Sequence, residues 1–234
     1  MDWLYYGTGY FDTAFVAFVV PALIFSLAMQ IMVKSAYRRQ ARVRNARGIT
    51  GAQAAERVLR HCGVTGVRVE PTHGRLSDHY DPRHRVIRLS HEVYGGASVA
   101  AVGIAAHEAG HAAQHADVYL PIKVRNAILP VCNVGSWLAL PLILLGMVLE
   151  FYGLVTVGLA LFSLVALFQL VTLPVEFNAS RRALRVIEAE GMLEGSDYAG
   201  AQKVLRAAAM TYVAALVMAV VNLLRVMLRF RRRR

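Results

Sequence analysis

The sequence predicts a mainly α membrane protein, with about four transmembrane helices and a small α+β region outside the bilayer. Three observations predict it. Hydrophobic residues make up 56% of the 234 residues, and the mean hydropathy is +0.43, both high for a soluble protein. The apolar residues clump into four runs rather than spreading evenly. Between the first two runs lies the only sizeable polar block, residues 48–127, which mixes helical and strand patterns. A chain of this length suits one modest domain plus membrane segments, not two large soluble domains.

The first transmembrane helix is expected over residues 11–33. No charge follows Asp12 until Lys34, long enough for a hydrocarbon core of about 30 Å. A cleavable signal peptide carries basic residues before its apolar core. Here Asp2 and Asp12 come first, and Lys34, Arg38, Arg39, Arg42, Arg44 and Arg47 follow. The run therefore reads as a retained anchor with its basic flank in the cytoplasm.

The polar block follows. Ala54, Ala55, Val58 and Leu59 have helical spacing, with Thr50 as cap and Gly63 as stop. Val64, Val67 and Val69 suggest a strand over Val64–Glu70. Leu76–Tyr80 and Arg85–Leu89, broken at Asp81-Pro82, read as a β-hairpin. After Gly95 and Gly96 the pattern becomes helical again, with Ser98 able to cap it.

Residues 128–173 are expected to form a transmembrane hairpin. Its arms, Ile128–Leu149 and Leu154–Leu173, are separated by Glu150, Phe151, Tyr152 and Gly153, a break short enough for a tight reversal. Pro130 and Pro141 are tolerable inside a membrane helix. The hairpin returns the chain to the side it left, so the segments flanking it share a compartment. Residues 174–206 then form a helix on that side. Residues 207–228 read as a fourth span with a basic tail. Four crossings put that tail outside, against the positive-inside bias, so a helix lying at the interface is the competing reading.

The net charge is +11 and the pI about 10.2. The basic residues cluster beside apolar runs and are not interleaved with aromatics, so the lipid bilayer is the expected partner and nucleic acid is not. The two cysteines, Cys62 and Cys132, supply neither a disulfide framework nor a paired metal motif. Oligomeric state is not legible.

The chemistry lies in His107-Glu108-Ala109-Gly110-His111, an H-E-x-x-H motif on the helix after Ser98. Residues four apart share one helix face, one turn apart. Two imidazoles so placed can reach one zinc ion at about 2.0–2.1 Å. Glu108 is one step round, beside the ion, where it can act as catalytic base on a water. Only Val99–Ala106 precede the motif, too few residues for an intramembrane helix.

A zinc site needs a third protein ligand. His115 is a candidate by spacing, but it stands about 12 Å along the helix from His107, which favours a supporting role. Asp117 is a candidate for orienting a ligating histidine. Glu176, immediately after the hairpin, is the better third ligand, because a carboxylate beside an apolar span is costly unless paired. Ser180, one turn on, can hydrogen-bond a ligand. His91, Tyr94, His115 and Tyr212 are candidates for steadying an oxyanion.

With these residues in hand, the chain resembles the small membrane-bound neutral zinc metallopeptidases of bacteria. The match lies in His107-Glu108-Ala109-Gly110-His111-Ala112-Ala113-Gln114 and in Pro174-Val175-Glu176-Phe177-Asn178-Ala179-Ser180, with Leu89–Tyr94 as lead-in. The resemblance implies a zincin-like cytoplasmic domain of the glutamate type (gluzincin). It implies one Zn²⁺ ion held by His107, His111 and Glu176, with Glu108 as base. The layout is also similar to that of heat-shock-type membrane proteases, which place Glu-x-x-Ala-Asp after the hairpin. This chain has Ser180 at the Asp position and Asn178 two before it, a departure in the groups that tune the site. The implied activity is that of a zinc metalloendopeptidase on a peptide or protein substrate, in the bacterial cytoplasmic membrane with its catalytic region facing the cytoplasm. The alternative is a catalytically silent zinc-binding membrane scaffold.

Overall fold

The computed structural model describes residues 15–74 and 77–231. Residues 11–14, where the first span was expected to begin, and Leu76 of the expected hairpin lie outside them. The described chain is mostly helical, with seven α-helices and one three-stranded sheet. It divides into two compact units. One contains the described chain up to Gln30, Val124–Thr172 and the chain from Thr211. The other contains Ile31–Lys123 and Leu173–Met210.

The first unit is built from apolar helix. A single π-helical turn, Phe15–Val19, leads into α1 (Val20–Ala41). Three later helices are α5 (Leu120–Val148), α6 (Tyr152–Ala189) and α7 (Gly195–Arg231). All four helices contain stretches long and apolar enough to cross a membrane. Trp137 is 84% exposed and Val148 79%. Large apolar side chains turned outward this fully are what a helix shows to lipid, not to water. Within the α5–α6 hairpin, a Cβ on Gly158 would stand 2.8 Å from the Ala139 carbonyl oxygen. Small residues of this kind let membrane helices approach closely.

The helices run on past the expected boundaries. α1 continues beyond Val33 to Ala41, because Lys34–Arg39 brings good helix formers and no stop signal. α5 starts at Leu120, ahead of Ile128. α6 passes through Pro174 without ending, so Glu176 lies on the same unbroken helix as the third apolar run. A proline removes one helical hydrogen bond but does not oblige a long packed helix to stop.

The second unit holds the sheet and its core. Thr50 caps α2 (Gly51–His61) through a reciprocal capping box with Gln53. β1 is Arg68–Thr72, not Val64–Glu70. Gly66 at φ +70° turns the chain just before it, a conformation closed to most L-residues at low cost. β2 (His79–Asp81) and β3 (Val86–Ser90) form the expected antiparallel hairpin. β1 joins the other side of β3 in parallel, giving the order β1-β3-β2. β3 is the central strand and the most buried. Pro71 sits on edge strand β1, where its missing donor costs least.

A short helix, α3 (His91–Tyr94), leads to α4 (Val99–Ala116), whose first turn is capped by Ser98 Oγ accepting from the Ala101 N–H at 3.1 Å. α4 is the core helix. Ala101, Val102, Ala105, Ala106, Ala109 and Ala112 pack with Val58, Leu59, Ile87 and Leu89 from α2 and β3, and with Val186 and Ile187 from α6. Its small residues have a use: a Cβ on Gly110 would meet the Ala179 carbonyl oxygen at 2.7 Å. The α4 and α6 backbones therefore touch beside the histidines.

Candidate metal centre

α4 delivers His107 and His111 to one face, as four-residue spacing on a helix requires. Their rings meet edge to face, centroids 4.7 Å apart. α6 brings Glu176 to the same place. Glu176 Oε2 lies 3.3 Å from His107 Nε2 and 3.7 Å from His111 Nε2. One ligand atom from each of the three residues falls within 4.8 Å of the others. Tetrahedral ligands about 2.0–2.1 Å from one ion stand roughly 3.3 Å from each other. The triad is already near that spacing, and it is the one such group among the described residues.

The far sides of the rings fix which nitrogens are free. His111 Nδ1 lies 3.0 Å from Gln114 Oε1. Gln114 Nε2 is committed elsewhere, donating to the Val175 carbonyl at 2.8 Å and to Asn178 Oδ1 at 3.0 Å. The oxygen facing His111 can only accept, so His111 Nδ1 carries a proton and Nε2 is the nitrogen turned toward Glu176, free to bind a cation once it is unprotonated. His107 Nδ1 lies 3.1 Å from Ser180 Oγ, a hydroxyl able to accept in the same way. Both imidazoles are thereby prepared as Nε2 ligands.

The electrostatics suit a cation. Burial disfavours a proton on His111, but the hydrogen bond to Glu176 and the charges of Glu108 and Glu176 outweigh it and raise its pKa above the ordinary value. Burial also pushes the Glu108 carboxyl up, against the opposing pull of His107 and His111. A pocket that holds two carboxylates against two imidazoles, with 3% of Glu176 exposed, favours positive charge inside it. The residues present fit a divalent zinc ion: two neutral imidazoles and one carboxylate, oriented from behind.

Glu108 does not join the triad. Its Oε2 accepts the backbone N–H of Tyr80 on edge strand β2, at 3.0 Å. The motif glutamate thus stands between the histidines and the free edge of the sheet. Asp78 steadies the other end of this edge, accepting from the Ser90 N–H at 2.8 Å and from Ser90 Oγ at 3.0 Å.

Ser180 reaches a histidine, as its spacing suggested. His115 is outside the triad and lies edge-on to the Tyr80 ring, centroids 5.5 Å apart. It is two helical turns from His107, too far along α4 to converge. Asp117 does not touch a ligating histidine. It pairs with Arg182, whose Nε donates to Asn178 Oδ1 at 2.8 Å. The link from Asp117 to His111 therefore runs through Arg182, Asn178 and Gln114. The His91 ring lies edge-on to that of His73, centroids 5.2 Å apart.

Sequence reasoning missed the roles of Gln114 and Asn178. Gln114 follows His111 by three residues, so it shares its helix face, and it is fully buried. A polar side chain in the motif's shadow was the available signal. The Tyr80–Glu108 contact had no signal at all, since it joins a strand backbone to a helix side chain.

Long apolar helices and a largely buried triad of two histidines and a glutamate together define a membrane protein with an H-E-x-x-H-type candidate metal centre. Comparison of the sequence with known families gives the same class a narrower meaning. The chain belongs to the family described as "Putative neutral zinc metallopeptidase", whose model matches residues 15–231. It is also 45% identical over 216 residues to "Putative membrane protease YugP" of Bacillus subtilis (strain 168), covering 92% of this chain and 96% of that protein. No solved structure matches the chain.

Proposed function

We propose that this protein is a membrane-bound zinc metalloendopeptidase of the gluzincin type. The observation that carries the reading is the meeting of His107, His111 and Glu176 from two helices, with both imidazoles turned to present Nε2. Family membership supports it independently. In this reading residues 48–127 and 174–206 make a zincin-like catalytic region facing the cytoplasm. Residues 11–33, 128–173 and 207–228 anchor it in the bilayer.

His107, His111 and Glu176 would hold the ion, which when bound supplies Lewis acidity toward water and a peptide carbonyl. Glu108 does the proton work. Its carboxylate takes a proton from the attacking water and passes it to the nitrogen of the leaving amine. A raised pKa suits both halves of that exchange, because it brings the group closer to neutrality. The outer edge of β2 offers backbone groups that can pair with an extended peptide. The Tyr80 N–H on this edge donates to Glu108, which ties the edge to the base beside the site.

The test is a chelator-sensitive cleavage assay on the purified full chain, run beside metal analysis. His107→Ala and Glu176→Ala are expected to lose zinc. Glu108→Gln is expected to keep zinc and lose activity by about 10²–10⁴-fold. A Glu108→Gln protein with full activity refutes the base. A wild-type protein that binds one zinc and cleaves nothing across peptide and membrane-protein substrates is the silent scaffold instead.

A further inference from the structure

Near its polar end α1 carries a cleft of about 570 Å³, lined by Ile31, Lys34, Ser35, Arg38, Arg39 and Arg42. The mechanism above uses none of these residues. Lys34 and Arg38 stand four residues apart on one face of α1, and Arg42 follows in the turn just past its end. Like charges at that spacing repel and weaken a helix. No carboxylate among the described residues pairs with any of the four cations.

Arg47 pairs with Glu194, Arg68 with Glu70, Arg88 with Asp81 and Arg182 with Asp117. These four arginines are neutralised by carboxylates of the protein itself. Those in the α1 cleft are left for something from outside.

The cleft is also graded. Ile31, 60% exposed, stands at one end. Ser35 with Lys34 and Arg38 follows, and Arg39 and Arg42 close the other end. The helix is uncharged from Val16 to Val33, about 27 Å at 1.5 Å per residue. That nearly matches a hydrocarbon core of about 30 Å, so Lys34 enters the headgroup layer. An occupant must therefore be anionic at one end and apolar at the other. Guanidinium groups bind phosphate oxygens bidentately, and lysine adds a point charge.

We propose that the cleft from Lys34 to Arg42, at the polar end of α1, is a binding site for the phosphate headgroup of an anionic phospholipid, whose acyl chain lies beside Ile31. Free inorganic phosphate shares the anionic chemistry but has nothing to place on Ile31, so the lipid is the better fit.

The experiment uses the detergent-purified full chain and native mass spectrometry, titrated with phosphatidylglycerol, with phosphatidylcholine, or with inorganic phosphate. Wild-type protein is expected to retain phosphatidylglycerol at least tenfold more strongly than phosphatidylcholine. Arg38→Gln/Arg42→Gln should weaken that binding about thirtyfold, since each basic residue near an anionic lipid surface contributes about 1 kcal/mol. Arg57→Gln/Arg60→Gln, the same loss of charge on α2, should leave it unchanged. Arg38→Lys/Arg42→Lys should recover most of it, and helical circular dichroism of each variant checks folding. The proposal is overturned if the Arg38/Arg42 and Arg57/Arg60 variants weaken binding equally. It is overturned as a lipid site if inorganic phosphate binds as tightly as phosphatidylglycerol. None of these readouts depends on zinc or on peptidase activity.

Discussion

At the scale of single residues, Gln114 is the informative side chain. It is fully buried, yet every polar atom it has is used: the oxygen toward His111, the amide toward Val175 and Asn178. A buried amide satisfied on all sides is rigid, and here it spans the two helices that bear the triad. Removing it should free the His111 ring and leave the Val175 carbonyl without its donor. Gln114→Ala is expected to lower zinc affinity about ten- to a hundredfold, read by competition with a chromogenic chelator. Wild-type affinity in that variant would show that the hydrogen bond orients nothing. A second residue sets a pH dependence. Asp81 accepts from the Arg83 N–H and pairs with His84 and Arg88, and these hydrogen bonds hold its carboxyl well below the usual range. A depressed folded pKa contributes stability that is present above the ordinary carboxylate pKa and is lost as pH falls through the folded value. Asp81→Asn should therefore lower Tm at pH 7, and the difference from wild type should shrink below about pH 4. A difference that grows in acid would contradict the assignment.

Elements show how far the sequence could be read. The helices were legible because long apolar runs and capping residues are local: Thr50 and Ser98 both cap as their positions suggest. The hairpin was legible from Asp81-Pro82 between two apolar-containing segments. The parallel pairing of β1 with β3 was not, since it depends on a partner distant in the chain. Strand β1 starts at Arg68 rather than Val64, because Gly66 at φ +70° turns the chain between Val64 and Val67. Convergence of His107 and His111 follows from one helix, whereas Glu176 needed the chain to return, which only the length of the hairpin hinted at. What no pattern showed was how closely α4 and α6 approach. Gly110 sets that distance, with the Ala179 carbonyl 2.7 Å from where a Cβ would stand. Gly110→Ala must push two backbones apart, an overpacking expected to cost about 1–3 kcal/mol, and to loosen the triad. Gly103 makes a fair control, because its Cβ would meet the Ala201 Cβ at 3.4 Å. Thermal unfolding and zinc content should both fall in Gly110→Ala and hardly change in Gly103→Ala. Equal effects would mean that general core packing, not the α4–α6 contact, holds the site.

On the scale of the whole molecule, two opposing charge signals bear on how the helices thread the membrane. Four stretches are long and apolar enough to cross. The α5–α6 reversal at Glu150 and Phe151 contains the fewest residues of any connection between them. If both arms cross, that reversal must lie on the face opposite the triad, because Lys123 precedes the hairpin and Glu176 follows it. The basic residues after Val33 argue that the triad faces the cytoplasm. The arginines at the end of α7 argue the other way for that helix if it crosses as well. Single cysteines decide between these forces, introduced after Cys62 and Cys132 are replaced by serine. Glu150→Cys should react with a membrane-impermeant maleimide in intact cells, and Arg83→Cys on the β2–β3 turn only after permeabilisation. Reaction of both in intact cells, or of neither, would exclude a crossing hairpin. Arg225→Cys then reports on α7: labelling with Glu150→Cys means four crossings, and labelling with Arg83→Cys means that α7 stays on the cytoplasmic face. The second pattern would show that the cost of moving a cluster of arginines across the bilayer outweighs burying the apolar face of α7. The first would show that packing of an apolar helix can override the charge bias at its end.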